Sequence, residues 1–289
     1  MRNKYIFSGH QSFNLRDGWL IKGIELMEKE EGKNIFSKNE LVETIDKLGI
    51  GANMVKSLKY WLEVLDIMDD DNNINTIIKE IRKYDEYFQR TTTLWLLHFF
   101  ILNPNRKNRR VILWEIIAFK TNYGMFTKKE ITELIDIETE KKYAHTSIEK
   151  GLNIFIKTYL NEKVNNKKEY PENNLISPMT RLKFLKKLKK TKTDEYYFRN
   201  IQYSEINKYL GYMIIKSIAS SRESISKEEA YQKFKKIIKL DMYNFDMILK
   251  EIENENLISI DRAAGLNNIH FKATLSEKEM IKQIYMDNN

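Results

Sequence analysis

The sequence predicts a mainly α-helical protein of tandem winged-helix units, helix-turn-helix pairs with small β-wings, joined by long helices. Three observations lead there. Of 289 residues only 10 are Gly and 3 are Pro, so few positions carry residues that break helices. A Ser or Thr followed three residues later by Glu stands immediately before an apolar helical pattern at Ser37/Glu40, Thr127/Glu130 and Ser226/Glu229. In such a capping box the hydroxyl accepts from an orphan N–H while the Glu returns to the cap's own N–H, which sets where a helix starts. Behind each box comes a short helix, a break and a second amphipathic helix.

In the first copy a short helix over 41–48 ends at Gly49-Ile50-Gly51, a tight turn that glycine permits, and the second helix runs over 52–68. The polar stretch 69–73 (DDDNN), between Ile67 and Ile74, suits a wing. The aromatic-rich segments 85–102 and 112–119 read as buried helices that join units. The middle copy pairs helices over 131–137 and 147–160, the latter opened by a further box at Thr146/Glu149, and the polar run 161–174 obscures its wing. In the third copy helices over 227–240 and 242–254 precede a strand at 257–260, a loop holding Gly265 and Asn267-Asn268, and a return strand at 269–271. The chain thus divides into an N-terminal winged-helix DNA-binding unit (1–80), a helical connector (81–125), a second winged-helix-like unit with a basic segment (126–200) and a C-terminal winged-helix unit (201–289).

The absence of cysteine excludes disulfides, thiolate metal sites and a Cys nucleophile. Neither a signal-peptide h-region nor an 18-residue apolar run is present, so a cytoplasmic protein with no membrane partner is expected. The balance of 49 Lys+Arg against 41 Asp+Glu, a net charge of +8, favours an anionic partner. The excess is concentrated in 105–110 (NRKNRR) and 181–192 (RLKFLKKLKKTK).

Double-stranded DNA is the expected partner, read by the helix faces opposite the apolar stripes. In the first unit Val55, Leu58, Leu62 and Leu65 face inward, which leaves Asn53, Lys56, Ser57 and Tyr60 for base edges and phosphates. In the second, Thr146, Lys150, Asn153 and Lys157 lie outside the stripe of Ile148, Leu152, Phe155 and Tyr159. The basic segment, with Leu182, Leu185 and Leu188 three apart, reads as a helix laying Arg181, Lys183, Lys186, Lys187 and Lys190 along a phosphate backbone. The third unit exposes Asp246 and Glu253, which phosphates repel, so it is expected to meet protein. His10 and Arg16 are candidates for a polar pocket holding a phosphate or a protein partner.

Enzyme signatures are scarce. The four histidines show no paired metal spacing, no P-loop, Rossmann glycine pattern or nucleophile elbow occurs, and the 69–71 acids read as a hydrated turn. No catalytic residue, cofactor or metal is expected. The opening Phe7-Ser-Gly-His-Gln-Ser-Phe13, then Leu15-Arg16 and Gly18-Trp19-Leu20, resembles a bacterial family of unknown function whose members read F-x-G-H-E-T-F. Gly49-x-Gly51-x-Asn53-Met54-Val55, Ser57, Tyr60-Trp61 and Leu94-Trp95-Leu96-Leu97-His98 continue the resemblance, with Ser177-Pro178 and 196–201 fitting more loosely. Gln11, Ser12 and Asn14 depart from the expected Glu, Thr and Pro. The resemblance implies a DNA-handling accessory encoded beside DNA phosphorothioation and anti-phage genes, whose partners include the enzymes of that cassette. A protein-interaction scaffold of the same complex is the alternative, and a nuclease or nucleotide-handling enzyme using His10 and Arg16 the third class.

Overall fold

The computed structural model describes residues 9–105, 112–121, 124–160, 176–188, 193–262, 267–272 and 274–287. They form a mainly helical chain with small antiparallel sheets, in two compact units. Unit 1 comprises residues 1–75 and 108–198, and unit 2 comprises 76–107 and 199–289. The 81–125 stretch is therefore not a connector of its own: its first helices belong to unit 2 and its last to unit 1. Periodicity identified those helices as buried without saying against what. Among the described residues no helix is long and apolar enough to cross a membrane.

In unit 1, α1 (Trp19–Lys29) and α2 (Leu41–Leu48) pack on α3 (Ala52–Val64). Gly49, at φ 64°, closes α2 through its N–H to the Ile45 carbonyl, a left-handed cap that glycine takes without a Cβ penalty. Ser37 accepts from the Glu40 N–H at 3.3 Å, but within a turn ahead of α2. Helix α3 stops at Val64, short of the expected 68, because Asp66 turns left-handed (φ 57°) and the Ile67 N–H bonds back to Leu62. Met68 and Ile74 then pair antiparallel across the acidic turn, where the Asp69 carboxylate accepts from the Asp71 and Asn73 N–H groups.

The rest of unit 1 repeats the plan with a longer hairpin. After α6 (Ile112–Lys120), Thr127 and Glu130 form the full capping box of α7 (Lys128–Glu138), and α8 (His145–Tyr159) follows. Thr146 lies inside α8, whose start at Ala144 has no side-chain cap, so the second box expected there does not form. The basic segment is not a helix. Residues Pro178–Leu182 make a 3-10 turn, Lys183 turns left-handed (φ 50°), and β1 (Leu185–Leu188) pairs with β2 (Glu195–Phe198), while Phe126 bridges to Tyr196 on the far side of β2. The alternation in β2, with Tyr196 and Phe198 buried between outward residues, has the two-residue period of a strand. Pairing buries Phe184 and Leu185 and leaves Leu188 exposed, whereas a helix would have crowded like charges on its face. A row of aromatic contacts, Trp61 to Trp114, Phe155, Tyr159, Phe184 and Phe198, joins the two halves of the unit, with successive centroids 5.0–5.9 Å apart.

Unit 2 is built on α4 (Thr76–Arg82), α5 (Thr91–Leu102), α9 (Lys208–Ala219), β3 (Ser224–Ser226), α10 (Lys227–Ile238), α11 (Met242–Asn254), β4 (Ile258–Asp261), β5 (Asn268–Phe271) and α12 (Glu277–Met286). The three strands form an antiparallel sheet in the order β3-β5-β4, with Ile225 and Ile260 flanking Ile269. Ser226 caps α10 by accepting from the Glu229 N–H, but the Glu229 carboxylate is held by Arg222 and Lys233 instead of returning to the cap. Helix α5 is buried from Thr93 to Leu102, which requires neighbours on every side. One is α10: His98, 1% exposed, meets the Ile237 carbonyl at 2.9 Å, and since a carbonyl only accepts, Nε2 carries the proton.

Burial pushes His98 down to about 4 from the usual 6.5. The unfolded chain takes up this proton below pH 6.5 while the folded chain resists until about pH 4, so the stability due to a neutral His98 is full above 6.5 and lost as pH falls through that window. Urea titrations should show this as a fall of up to about 1.4 kcal/mol per pH unit that His98→Gln removes. An unchanged slope in His98→Gln would assign the acid sensitivity elsewhere.

Candidate nucleic-acid interface

The two outward helix faces expected to meet DNA differ sharply. On α8 the structure brings Thr146, Lys150, Asn153 and Lys157 together as one exposed stripe at i, i+4, i+7 and i+11, opposite buried Ile148, Leu152, Phe155 and Tyr159. Asn153 Oδ1 accepts from Lys128 Nζ at 2.6 Å, which leaves its amide hydrogens outward and adds a third cation beside the stripe. Neither Lys150 nor Lys157 takes part in an ion pair among the described residues. Glu149 is the exposed acid on its flank, and at the start of α8 the His145 ring meets Asp136 at 2.8 Å.

On α3 only Asn53 and Lys56 remain exposed. Ser57 and Tyr60, expected on the DNA face, are buried at 0% and 5% exposure. The covering element is the N-terminal motif itself. Ser57 Oγ and Trp61 Nε1 both donate to the Phe13 carbonyl, at 3.4 and 3.2 Å, and the His10 ring stands edge-on to Tyr60 with centroids 5.9 Å apart. Gly9 lies so near the Tyr60 ring that a Cβ there would sit 2.4 Å from it, which is why the close approach needs glycine. Lys59 and Glu63, further along the helix, face each other at 3.8 Å.

The polar pocket expected at His10 and Arg16 is closed as well. His10 is 2% exposed and its Nδ1 accepts from the Ser12 N–H at 3.1 Å, while Arg16 is 6% exposed with its guanidinium over the Phe13 and Trp19 rings, 5.3 and 4.8 Å from their centroids. Burial and cation–π stacking on these two rings thus hold Arg16 in the core instead of in an open phosphate pocket. The motif is a clasp that fastens the N-terminal segment onto α1 and α3.

The basic segment contributes through a hairpin. Arg181 and Lys183 are exposed, Lys186 is half-buried on β1, and Lys187 is turned inward, paired with Asp194 at 2.6 Å and set 5.9 Å from the Tyr196 ring. Lys190, the 106–110 part of the other basic cluster and Gly265 lie outside the described residues.

This architecture is that of a mainly helical protein whose helix pairs are each followed by a short antiparallel pairing. The chain belongs to the family described as "Protein of unknown function (DUF4007)", whose model matches residues 7–285. No curated protein matches it significantly. Two solved structures share the fold: "Magnesium ion-bound SspB crystal structure", with a TM-score of 0.77 and 18% identity, and "SspB crystal structure", with 0.73 and 19%. Each match covers 97% of this chain and 87% of the other. Among the described residues of this chain no group of three or more His, Asp or Glu side chains is arranged to hold a metal ion.

Proposed function

We propose that the protein is a DNA-binding accessory of a phosphorothioation-linked defence or modification system, and that it grips duplex DNA through winged-helix units. The observation that carries this reading is the α8 stripe. A second helix of a pair, followed by a hairpin and bare of buried partners along Thr146, Lys150, Asn153 and Lys157, has the shape and charge that enter a major groove. Lys150 and Lys157 serve phosphates, Asn153 serves a base edge, and the β1-β2 hairpin acts as the wing that carries Lys186 along the backbone. Asn53 and Lys56 give α3 a smaller share. The family and the SspB-like fold support the link to phosphorothioation, and the reading assigns no catalytic residue.

Titration of a fluorescein-labelled duplex at two salt concentrations tests it. Affinity should fall steeply with salt, since each neutralised phosphate adds about 0.9 to the slope. An absence of salt-sensitive binding at about micromolar protein overturns the reading. One observation favours a scaffold instead: an apolar groove of about 380 Å³ beside α7, where Met125 and Ile137 are 55% and 72% exposed. Nuclease-resistant co-purification with cassette enzymes by a chain that binds no duplex would establish that alternative.

A further inference from the structure

The third helix pair carries a groove of about 320 Å³ between α11 and the β4-β5 hairpin. Its helix wall presents Tyr243, Asp246 and Lys250 at i, i+3 and i+7, a single stripe along α11. Opposite stand Arg262 and Asn267, at the ends of the two hairpin strands, and Lys227 closes the groove from the start of α10. The Lys227 N–H donates to the Asn267 carbonyl at 2.7 Å, so the hairpin is tied to that helix.

The two acids that argued for a protein partner are internally neutralised. Asp246 meets Lys227 Nζ at 2.7 Å. Glu253 is held by Arg262 at 2.9 Å and accepts from the Ile260 N–H at 3.0 Å, and the guanidinium keeps its carboxyl below the usual carboxylate range. Lys250 is exposed and enters no ion pair among the described residues, and Tyr243 is 67% exposed. Of the three cations that line the groove, Lys227 is paired with Asp246 and Arg262 with Glu253, which leaves Lys250 as the exposed cation in no ion pair among the described residues. A helix stripe beside a hairpin whose strand ends carry a cation and an amide matches a duplex, in which a groove takes the helix and the flanking phosphates take the hairpin.

We propose that this groove is a second duplex-DNA contact, made by the phosphate backbone on Lys250 with Tyr243 alongside; the proposal rests on the DNA-binding reading above. Asp246 is its brake, because it occupies Lys227.

The test uses the full chain, a labelled duplex and, as the competing probe, labelled poly-glutamate. Lys250→Glu is expected to weaken duplex binding roughly tenfold and to lower the salt slope by about one. Asp246→Asn, which removes an acid and releases Lys227, is expected to tighten it, a gain that a structural role would not produce. Lys150→Glu is measured in parallel. If Lys150→Glu weakens binding while Lys250→Glu and Asp246→Asn both match the wild type, this groove is overturned and the α8 reading stands. If the wild-type chain binds no duplex, both fall. If Asp246→Asn tightens poly-glutamate but not DNA, the groove serves an acidic polypeptide and the proposal is overturned.

Discussion

Replacing Trp61 with alanine is expected to lower the free energy of unfolding by about 3–5 kcal/mol, the range for removing a large aromatic side chain from a core. The indole is fully buried and stands edge-on to both Tyr60 and Trp114, with centroids 5.4 and 5.9 Å away. It is the first member of the aromatic row that joins the two halves of unit 1, and its N–H donates to the Phe13 carbonyl. Alanine would open a cavity, leave that carbonyl with only the longer bond from Ser57 Oγ and loosen the N-terminal clasp together. Trp61→Phe keeps most of the ring and loses the donor, so its cost should fall between wild type and alanine. Denaturant titration followed by circular dichroism measures both. A loss below about 1 kcal/mol in Trp61→Ala would mean that the clasp and the aromatic row do not stabilise this unit.

The largest functional effect is expected from Lys150→Glu combined with Lys157→Glu. Both side chains are exposed on α8, so the double variant should remain within about 1 kcal/mol of wild-type stability. Each reversal removes a phosphate partner and adds a repelling charge. The salt slope for duplex binding should fall by about two, and affinity at low salt by roughly a hundredfold or more. Wild-type affinity in a folded double variant would remove α8 as the reader and with it the observation that carries the proposed function. The burial of Ser57 and Tyr60 matters for this design, because variants at those positions would change stability while appearing to test DNA contact.

The sequence alone located the third helix pair closely. Helices expected over 227–240 and 242–254 appear as Lys227–Ile238 and Met242–Asn254, the strand at 257–260 appears one residue later as Ile258–Asp261, and that at 269–271 starts one residue earlier as Asn268–Phe271. Thr127 and Gly49 likewise start and stop helices where their chemistry required. The outward stripe of α8 was legible for the same reason, since its inward face follows the helical period without interruption. The basic segment was not. Leucines three apart fit a helix, and the strand that pairs with residues 185–188 lies further along the chain, at 195–198. The signal available in residue types was the β-favouring aromatic run Tyr196-Tyr197-Phe198, while the alternating burial of β2 and left-handed Lys183 appear only in the structure.

Helical periods, the Thr127 box and the Gly49 cap could be read directly because the interactions that set them span about four residues, whereas the boxes expected at Ser37 and Thr146 do not cap α2 or α8. Which helix face stays open is decided by segments distant in the chain. Phe13 reaches Ser57 across 44 positions and Trp61 across 48, and that contact turns an apparent DNA face of α3 into core. The paired Asp246 and Glu253 show the same dependence, because a carboxylate's charge toward a partner is set by the cation the tertiary structure places beside it. Burial and pairing are properties of the folded arrangement, and no local pattern contains them.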